Sequence, residues 1–356
     1  MNGVTITQFG TVKVMEDQSL RPSAQRAQRR AAASDSEMEE EEEEYLPPAL
    51  RFIAPEDVAD LSDPEMTAFE YFGTQGQKVT VIKNVAHLRK LERFCLRSNF
   101  VRECSALAPL AQLTTLELYE NRLNSIEGVQ CLVNLTTLDL SYNNLRVLEG
   151  RILGPLTQLQ RLFVAQNKID RIEGLETLTR LEVLDLGMNR IREIEGLDRC
   201  GALTELWLGK NKITKIERLD ALAKLRRLSV QSNRLRAIGD GLRPLRALEE
   251  LYLSHQAILK IEGLDGLCEL NTIDLSNNAI ASLDGLPVQD LPNLQELWMS
   301  YNRIASFDEV DKLAPLGQRL QTLYLDHNPL AADYEYRKRL AATLPSLTQI
   351  DATRCR

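Results

Sequence analysis

Apolar residues recur along this chain in two alternating rhythms. Leucines two residues apart are followed by apolar positions three apart, and the unit returns about every 22 residues. The line L-x-x-L-x-L-x-x-N is read at Leu113-Leu116-Leu118-Asn121, Leu135-Leu138-Leu140-Asn143, Leu181-Leu184-Leu186-Asn189 and Leu203-Leu206-Leu208-Asn211. Varied copies end at Asn99, Asn167, Asn233, Asn278, Asn302 and Asn328, and one copy carries Gln256 where the asparagine is due. The intervals between successive ladder positions are 22, 22, 24, 22, 22, 22, 23, 22, 24 and 26. Period 2 puts alternate side chains on one face of a short strand. The asparagine amide carries both donors and an acceptor, so it can satisfy backbone groups left free at a sharp turn.

One such unit cannot bury its own apolar face, so the copies must stack. The pattern predicts an α/β leucine-rich repeat solenoid. Parallel strands about 4.8 Å apart would line a concave face. The return segments, with I-E-G-L at Ile172–Leu175, Ile194–Leu197 and Ile261–Leu264, are too short for long helices and predict 3₁₀ or short helical turns on the convex side. Insertions fall around Gly150–Pro155, Gly239–Pro244, Pro287–Pro292 and Pro315–Arg319, each containing Gly or Pro. Gln256, one methylene longer than asparagine, predicts a local distortion of the ladder.

The ends differ from the repeats. Residues 1–65 read as a disordered acidic tail, with a basic Ala-rich stretch (Arg21 to Ala33) and six glutamates, Glu39 to Glu44. Ser34 and Ser36 precede acidic residues, a context acidophilic kinases prefer. Residues 66–90 read as an extension and a degenerate first repeat, with order beginning near Val79 and Val79-Thr80-Val81-Ile82 as that repeat's tail. Repeats occupy 91–328. Residues 329–356 read as a C-terminal helical cap: Asp333 as helix N-cap, a helix from Tyr334 to about Leu344, and a last strand at Leu347–Asp351.

Charge and chemistry narrow the function. The formal charge is −8; residues 1–48 hold 5 Lys/Arg and 10 Asp/Glu, so the tail supplies −5 and the rest −3. This balance disfavours nucleic acid as a partner. No apolar run is long enough to cross a bilayer, there is no signal-peptide core, and Gly3 is one position late for myristoylation, so an intracellular protein of nucleus and/or cytoplasm, with no membrane partner, is expected. Six scattered cysteines suggest reduced, mostly buried or half-buried thiols. No catalytic, cofactor or metal motif occurs, and His255 and His327 sit just before ladder positions where turn residues belong. The expectation is a protein without enzyme activity, cofactor or metal.

The side chain between the last two leucines of each unit points away from the core. That column reads Cys95, Glu117, Asp139, Phe163, Asp185, Trp207, Ser229, Tyr252, Asp274, Trp298 and Tyr324, and it contains both tryptophans of the chain. Trp and Tyr dominate binding hot spots, and the interleaved aspartates suggest a partner offering apolar and basic groups.

Several strings carry a resemblance: Leu206-Trp-Leu-Gly-Lys-Asn-Lys-Ile-Thr-Lys-Ile216, Val230-Gln-Ser-Asn-Arg-Leu235, Glu250-Leu-Tyr-Leu-Ser-His255 and the closing Ile350-Asp-Ala-Thr353. Over residues 79–356 the chain resembles the protein phosphatase 1 regulatory subunit 7 family. The resemblance implies a non-catalytic subunit, monomeric apart from its partner, that holds the phosphatase catalytic subunit on its concave face. The family's contact positions map onto Asp139, Phe163, Asp185, Trp207, Asp274, Glu296, Trp298 and Tyr324. Asp185 stands where the family can have Glu, Trp207 where it can have Phe, and Gln256 departs from the ladder asparagine. No short basic-Val-x-Phe docking motif is present. The rival reading is an adaptor of axonemal or spliceosomal type, sharing the repeat but binding another protein.

Overall fold

The computed structural model describes residues 63–74 and 78–355. The glutamate run, Ser34 and Ser36 lie outside them. The described residues form one sheet of fourteen strands in sequence order. It opens with β1 (Ala68–Phe72) and β2 (Arg93–Arg97), continues through ten strands of three residues, from Thr115–Glu117 to Thr322–Tyr324, and ends with β13 (Gln349–Ile350) and β14 (Thr353–Arg354). All neighbours pair in parallel except β13 with β14. The central residue of each short strand, leucine except for Ile273, is fully buried in one continuous core, as at Leu138, Leu184, Leu206 and Leu251.

The ladder forms as the asparagine chemistry predicts. Asn143 donates through Nδ2 to the carbonyls of Leu118 in the preceding repeat and Leu140 in its own, both at 2.9 Å, while its Oδ1 accepts from Leu123 N at 2.9 Å. Asn189, Asn211 and Asn302 repeat this set. The turn they fasten is left-handed. The residue just before each ladder position has φ between 54° and 58°, including Tyr142, Met188, Lys210, His255 and His327. Such a conformation costs a non-glycine residue about 1–2 kcal/mol, and the buried amide offsets that cost. The two histidines are therefore turn residues.

Gln256 corrects the expected distortion. Its Oε1 accepts from Leu235 N at 2.9 Å and its Nε2 donates to Val230 O at 2.6 Å. The flanking backbone bonds, Leu253 N to Asp274 O, His255 N to Ser276 O and Ala257 N to Leu235 O, correspond to those of the next repeats. The extra methylene is absorbed in the side chain. What is lost is the pair of bonds an asparagine makes to the carbonyls three and two residues behind it, as Asn278 does to Leu275 and Ser276.

On the return side, single i to i−3 turns predominate, such as Leu178 N to Leu175 O and Leu222 N to Leu219 O, both at 3.0 Å. Longer 3₁₀ pieces occur at Ser105–Leu107 and Val129–Cys131. The first insertion forms a helical turn, α1 (Gly150–Leu153). The last long repeat holds α2 (Phe307–Asp311), whose Ser306 hydroxyl accepts from Asp308 N at 3.1 Å.

Both ends extend what the pattern predicts. Order starts earlier than Val79: β1 pairs with β2, and the Phe69 and Phe94 rings lie 5.2 Å apart. Aromatic residues replace leucine here, so the strand lacks the motif that marks the others. Val79 is that repeat's tail, its N–H donating to Asn99 Oδ1 at 2.9 Å. At the other end the cap helix is α3 (Tyr336–Thr343), with Tyr336, Leu340 and the following Leu344 buried. Asp333 does not cap it: its carboxylate accepts from Glu335 N at 2.8 Å and closes the preceding turn. The Asp351 carboxylate closes the stack, accepting from Leu325 N at 2.8 Å, a donor that in earlier repeats meets the backbone carbonyl of the following strand, and β14 folds back on the last parallel strand and covers its edge. Among the described residues no helix is long and apolar enough to cross a membrane. All six cysteines are free; Cys131 and Cys268 are exposed and the others are buried or half-buried.

Candidate functional site: the concave face

Strand register decides which outward side chains are neighbours. Asp139, Phe163, Asp185, Trp207, Ser229, Tyr252, Asp274, Trp298 and Tyr324 stand opposite one another in successive strands, forming one continuous row. Cys95 and Glu117 extend it towards the N-terminus. Glu296 lies in the parallel row two residues earlier, opposite Thr272 and Thr322. The structure thus brings all eight sequence-derived positions onto one face, seven in one row and Glu296 beside it.

Within the row the aromatics are not evenly spaced. The Trp207 and Tyr252 rings come to 6.3 Å although a strand separates them, because only Ser229 lies between. Tyr252 and Trp298 approach to 6.3 Å across Asp274, and Trp298 meets Tyr324 edge-on at 5.9 Å. These offset and tilted pairs suit the ring quadrupoles. The result is a four-ring ladder with Ser229 and Asp274 buried beneath it. Phe163 stands apart, between Asp139 and Asp185.

A brace of charges orients two of the rings. Arg227 lies between Glu205 and Glu250 and reaches each at 2.9 Å. Glu205 accepts from Trp207 Nε1 at 3.2 Å, and Glu250 accepts from the Tyr252 hydroxyl at 2.8 Å. One guanidinium therefore holds two carboxylates, and each carboxylate holds a ring. The sequence column does not contain this brace. Its signal was the opposite charge at one position of three consecutive repeats, Glu205-Leu-Trp, Arg227-Leu-Ser and Glu250-Leu-Tyr, the mark of cross-strand pairs. Trp298 has Glu296 in the matching place, yet its enclosed indole N–H meets no acceptor among the described residues.

The aspartates share a geometry of their own. Asp139 Oδ1 accepts from Ser141 N, Asp185 Oδ1 from Gly187 N and Asp274 Oδ1 from Ser276 N, at 2.8–2.9 Å. These bonds favour the ionised form, but desolvation outweighs them at all three. Burial pushes the Asp185 carboxyl up to about 6, the bond from Gly187 works against that shift, and the charge of Asp139 adds to it. Burial likewise raises Asp139 and Asp274. Arg97 is near enough to Asp139 to oppose its shift, but burial prevails at all three, and carboxylates held short of water suit a basic ligand. Among the described residues no group of His, Cys, Asp and Glu could hold a metal ion.

A leucine-rich repeat family model matches residues 244–356, and a second matches 111–169 and 133–191. The chain is 46% identical over 66 residues to protein phosphatase 1 regulatory subunit SDS22 of Schizosaccharomyces pombe, covering 18% of this chain and 20% of that protein. It is 41% identical over 74 residues to protein phosphatase 1 regulatory subunit pprA of Dictyostelium discoideum, covering 21% of each. Human protein phosphatase 1 regulatory subunit 7 is 42% identical over 50 residues, 14% of each chain. The matches thus span about a fifth or less of these relatives' length. Among solved structures, an internalin from Listeria monocytogenes superposes with a TM-score of 0.70 at 24% identity, covering 82% of both chains, a likeness of fold. The described residues thus form a leucine-rich repeat solenoid, short stretches of which are similar to protein phosphatase 1 regulatory subunits.

Proposed function

We propose that this leucine-rich repeat protein is a non-catalytic regulatory subunit that binds the catalytic subunit of protein phosphatase 1 on its concave face. The observation that carries the reading is the continuous row from Asp139 to Tyr324, in which desolvated carboxylates give way to a four-ring aromatic ladder. The names of the partial sequence relatives supply the partner. Trp207 and Trp298 are the anchors. Phe163 and Tyr324 extend the apolar contact, Asp139, Asp185 and Glu296 face basic groups of the phosphatase, and Asp274, buried beneath the rings, supports them from below.

Titration calorimetry with purified phosphatase 1 catalytic subunit tests this. Truncating a central aromatic anchor costs about 2–4 kcal/mol of binding, so a Trp207→Ala/Trp298→Ala double variant should lose measurable association. Undiminished binding by that variant would remove the concave face from the reading. Failure of the unaltered protein to bind would remove the partner.

A further inference from the structure

A second surface lies along the edge of the solenoid, outside the concave row. The residue immediately after the ladder amide is Lys168, Arg190, Lys212 and Arg234 in four consecutive repeats. Their backbones are stacked: each of the last three donates its N–H to the residue after its predecessor, Arg190 to Ile169, Lys212 to Ile191 and Arg234 to Ile213, at 2.7–2.8 Å. Four cations therefore line up at strand spacing, over a length of about 14 Å. Arg190 and Arg234 are exposed and the two lysines half-exposed. None of the four has a carboxylate partner among the described residues, whereas Arg151, Arg171, Arg218, Arg226, Arg227 and Lys312 all do. Like charges in such a row repel and contribute nothing to the stacking of repeats, which the leucines and asparagines already secure.

The row runs into a cleft. Where the chain swells to a 23-residue unit before Gln256, a cavity of about 640 Å³ opens between the tails of two repeats. It is lined at its base by the buried Ile216 and Ile238, with the exposed Ala237, Lys215, Arg234 and Arg236 around its rim. Asp240, also on the rim, lies 3.5 Å from Arg243. Arg234 belongs to both the row and the cleft, so the two form one surface.

We propose that this edge is a docking site for an acidic polypeptide segment, extended along the four cations and placing one aliphatic side chain in the cleft. The charge fits carboxylates of such a segment, and four to five extended residues cover the row. The apolar floor separates this occupant from a nucleic acid, whose phosphate backbone has no aliphatic group to seat there. No aromatic residue interleaves the four cations, as a single-strand stacking platform would require. A recessed cleft also suits an inserted side chain better than a lipid surface. The site is independent of the concave face and of the partner assigned to it.

Fluorescence anisotropy on the full-length protein tests the proposal, with a labelled peptide of six glutamates around one central leucine. The expected result is saturable binding at low salt that weakens at least tenfold in a Lys168→Gln/Arg190→Gln/Lys212→Gln/Arg234→Gln variant. It should weaken about threefold or more when serine replaces the peptide's leucine, and stay unchanged in Trp207→Ala/Trp298→Ala. All four residues are surface positions, and a thermal melt matched to the unaltered protein confirms folding; the single Arg234→Gln variant, expected to weaken binding about threefold, serves if the melt shifts. No binding, indifference to the substitutions, or preferential binding of oligo-dT or phosphatidylserine vesicles over the peptide would overturn it.

Discussion

The two halves of the concave face are built from the same repeat but expose opposite chemistry. From Glu117 to Asp185 the row is acidic, with Phe163 as its one large apolar group. From Trp207 to Tyr324 it is aromatic, with Asp274 buried beneath the rings. The acidic half holds Asp139 and Asp185 by local bonds from the turn two residues on, with the Arg97–Glu117 pair as its cross-strand ion pair, whereas the aromatic half is tied across strands by ring contacts and by the Arg227 brace. Locally held charges steer a partner and set specificity, while cross-braced rings supply desolvated contact area. A row of identical scaffold positions can thus divide these tasks by side-chain choice alone.

The largest effect that separates the halves is expected from the rings. The double tryptophan truncation should abolish phosphatase binding in calorimetry, while Asp139→Asn/Asp185→Asn should cost only about 1–2 kcal/mol, mostly in association rate and salt dependence. Comparable losses in both variants would erase the division. The brace comes next. Arg227→Met leaves Glu205 and Glu250 facing each other without their cation, and it should weaken binding by about 1–2 kcal/mol and lower stability by a similar amount. Stopped-flow dissociation and a thermal melt would separate the two effects; unchanged dissociation would make the brace irrelevant to the rings.

The pH response isolates the acidic half. Asp185 has its carboxyl raised to about 6, above its unfolded range, by burial. A basic partner favours its ionised form, so binding takes up the charged state and releases a proton near and below that value. Affinity should therefore be full above about pH 6.5 and fall as pH drops through 6, and Asp185→Asn should flatten the profile. For stability the sign reverses: the raised carboxyl opposes folding at neutral pH, and that penalty fades as the pH falls through 6. A profile with the same slope in the Asp185→Asn variant would assign the proton elsewhere. The smallest effect concerns the ladder under the aromatic half. Gln256→Asn should restore the two missing carbonyl bonds and raise stability by about 0.5–1 kcal/mol, read from the urea midpoint.

Much of this face was legible in the chain itself. The L-x-L alternation located every short strand from Arg93 to Tyr324, and with it the outward column, because in a stacked repeat the position within the motif fixes the row in space. The C-terminal helix was found through Tyr336, Leu340 and Leu344. The first strand was missed because Phe69 and Tyr71 replace leucine, and β14 because Thr353–Arg354 pairs only with the chain just before it. The motif predicts a turn residue ahead of each amide but not its left-handed conformation, because glutamate, tyrosine, methionine and lysine all occupy the position; that conformation is imposed by the amide bonds that follow.

The sequence by itself determined the period, the buried leucines and the order of chemical groups along the row, since these depend only on spacing. Tertiary structure alone decided how those groups lean and pair. Residues about 45 positions apart, such as Trp207 and Tyr252, touch because the strand between them carries a serine, and Arg227 joins two carboxylates because stacking sets three strands side by side. Spacing is a property of the chain, but contact across two strands exists only once the stack has closed.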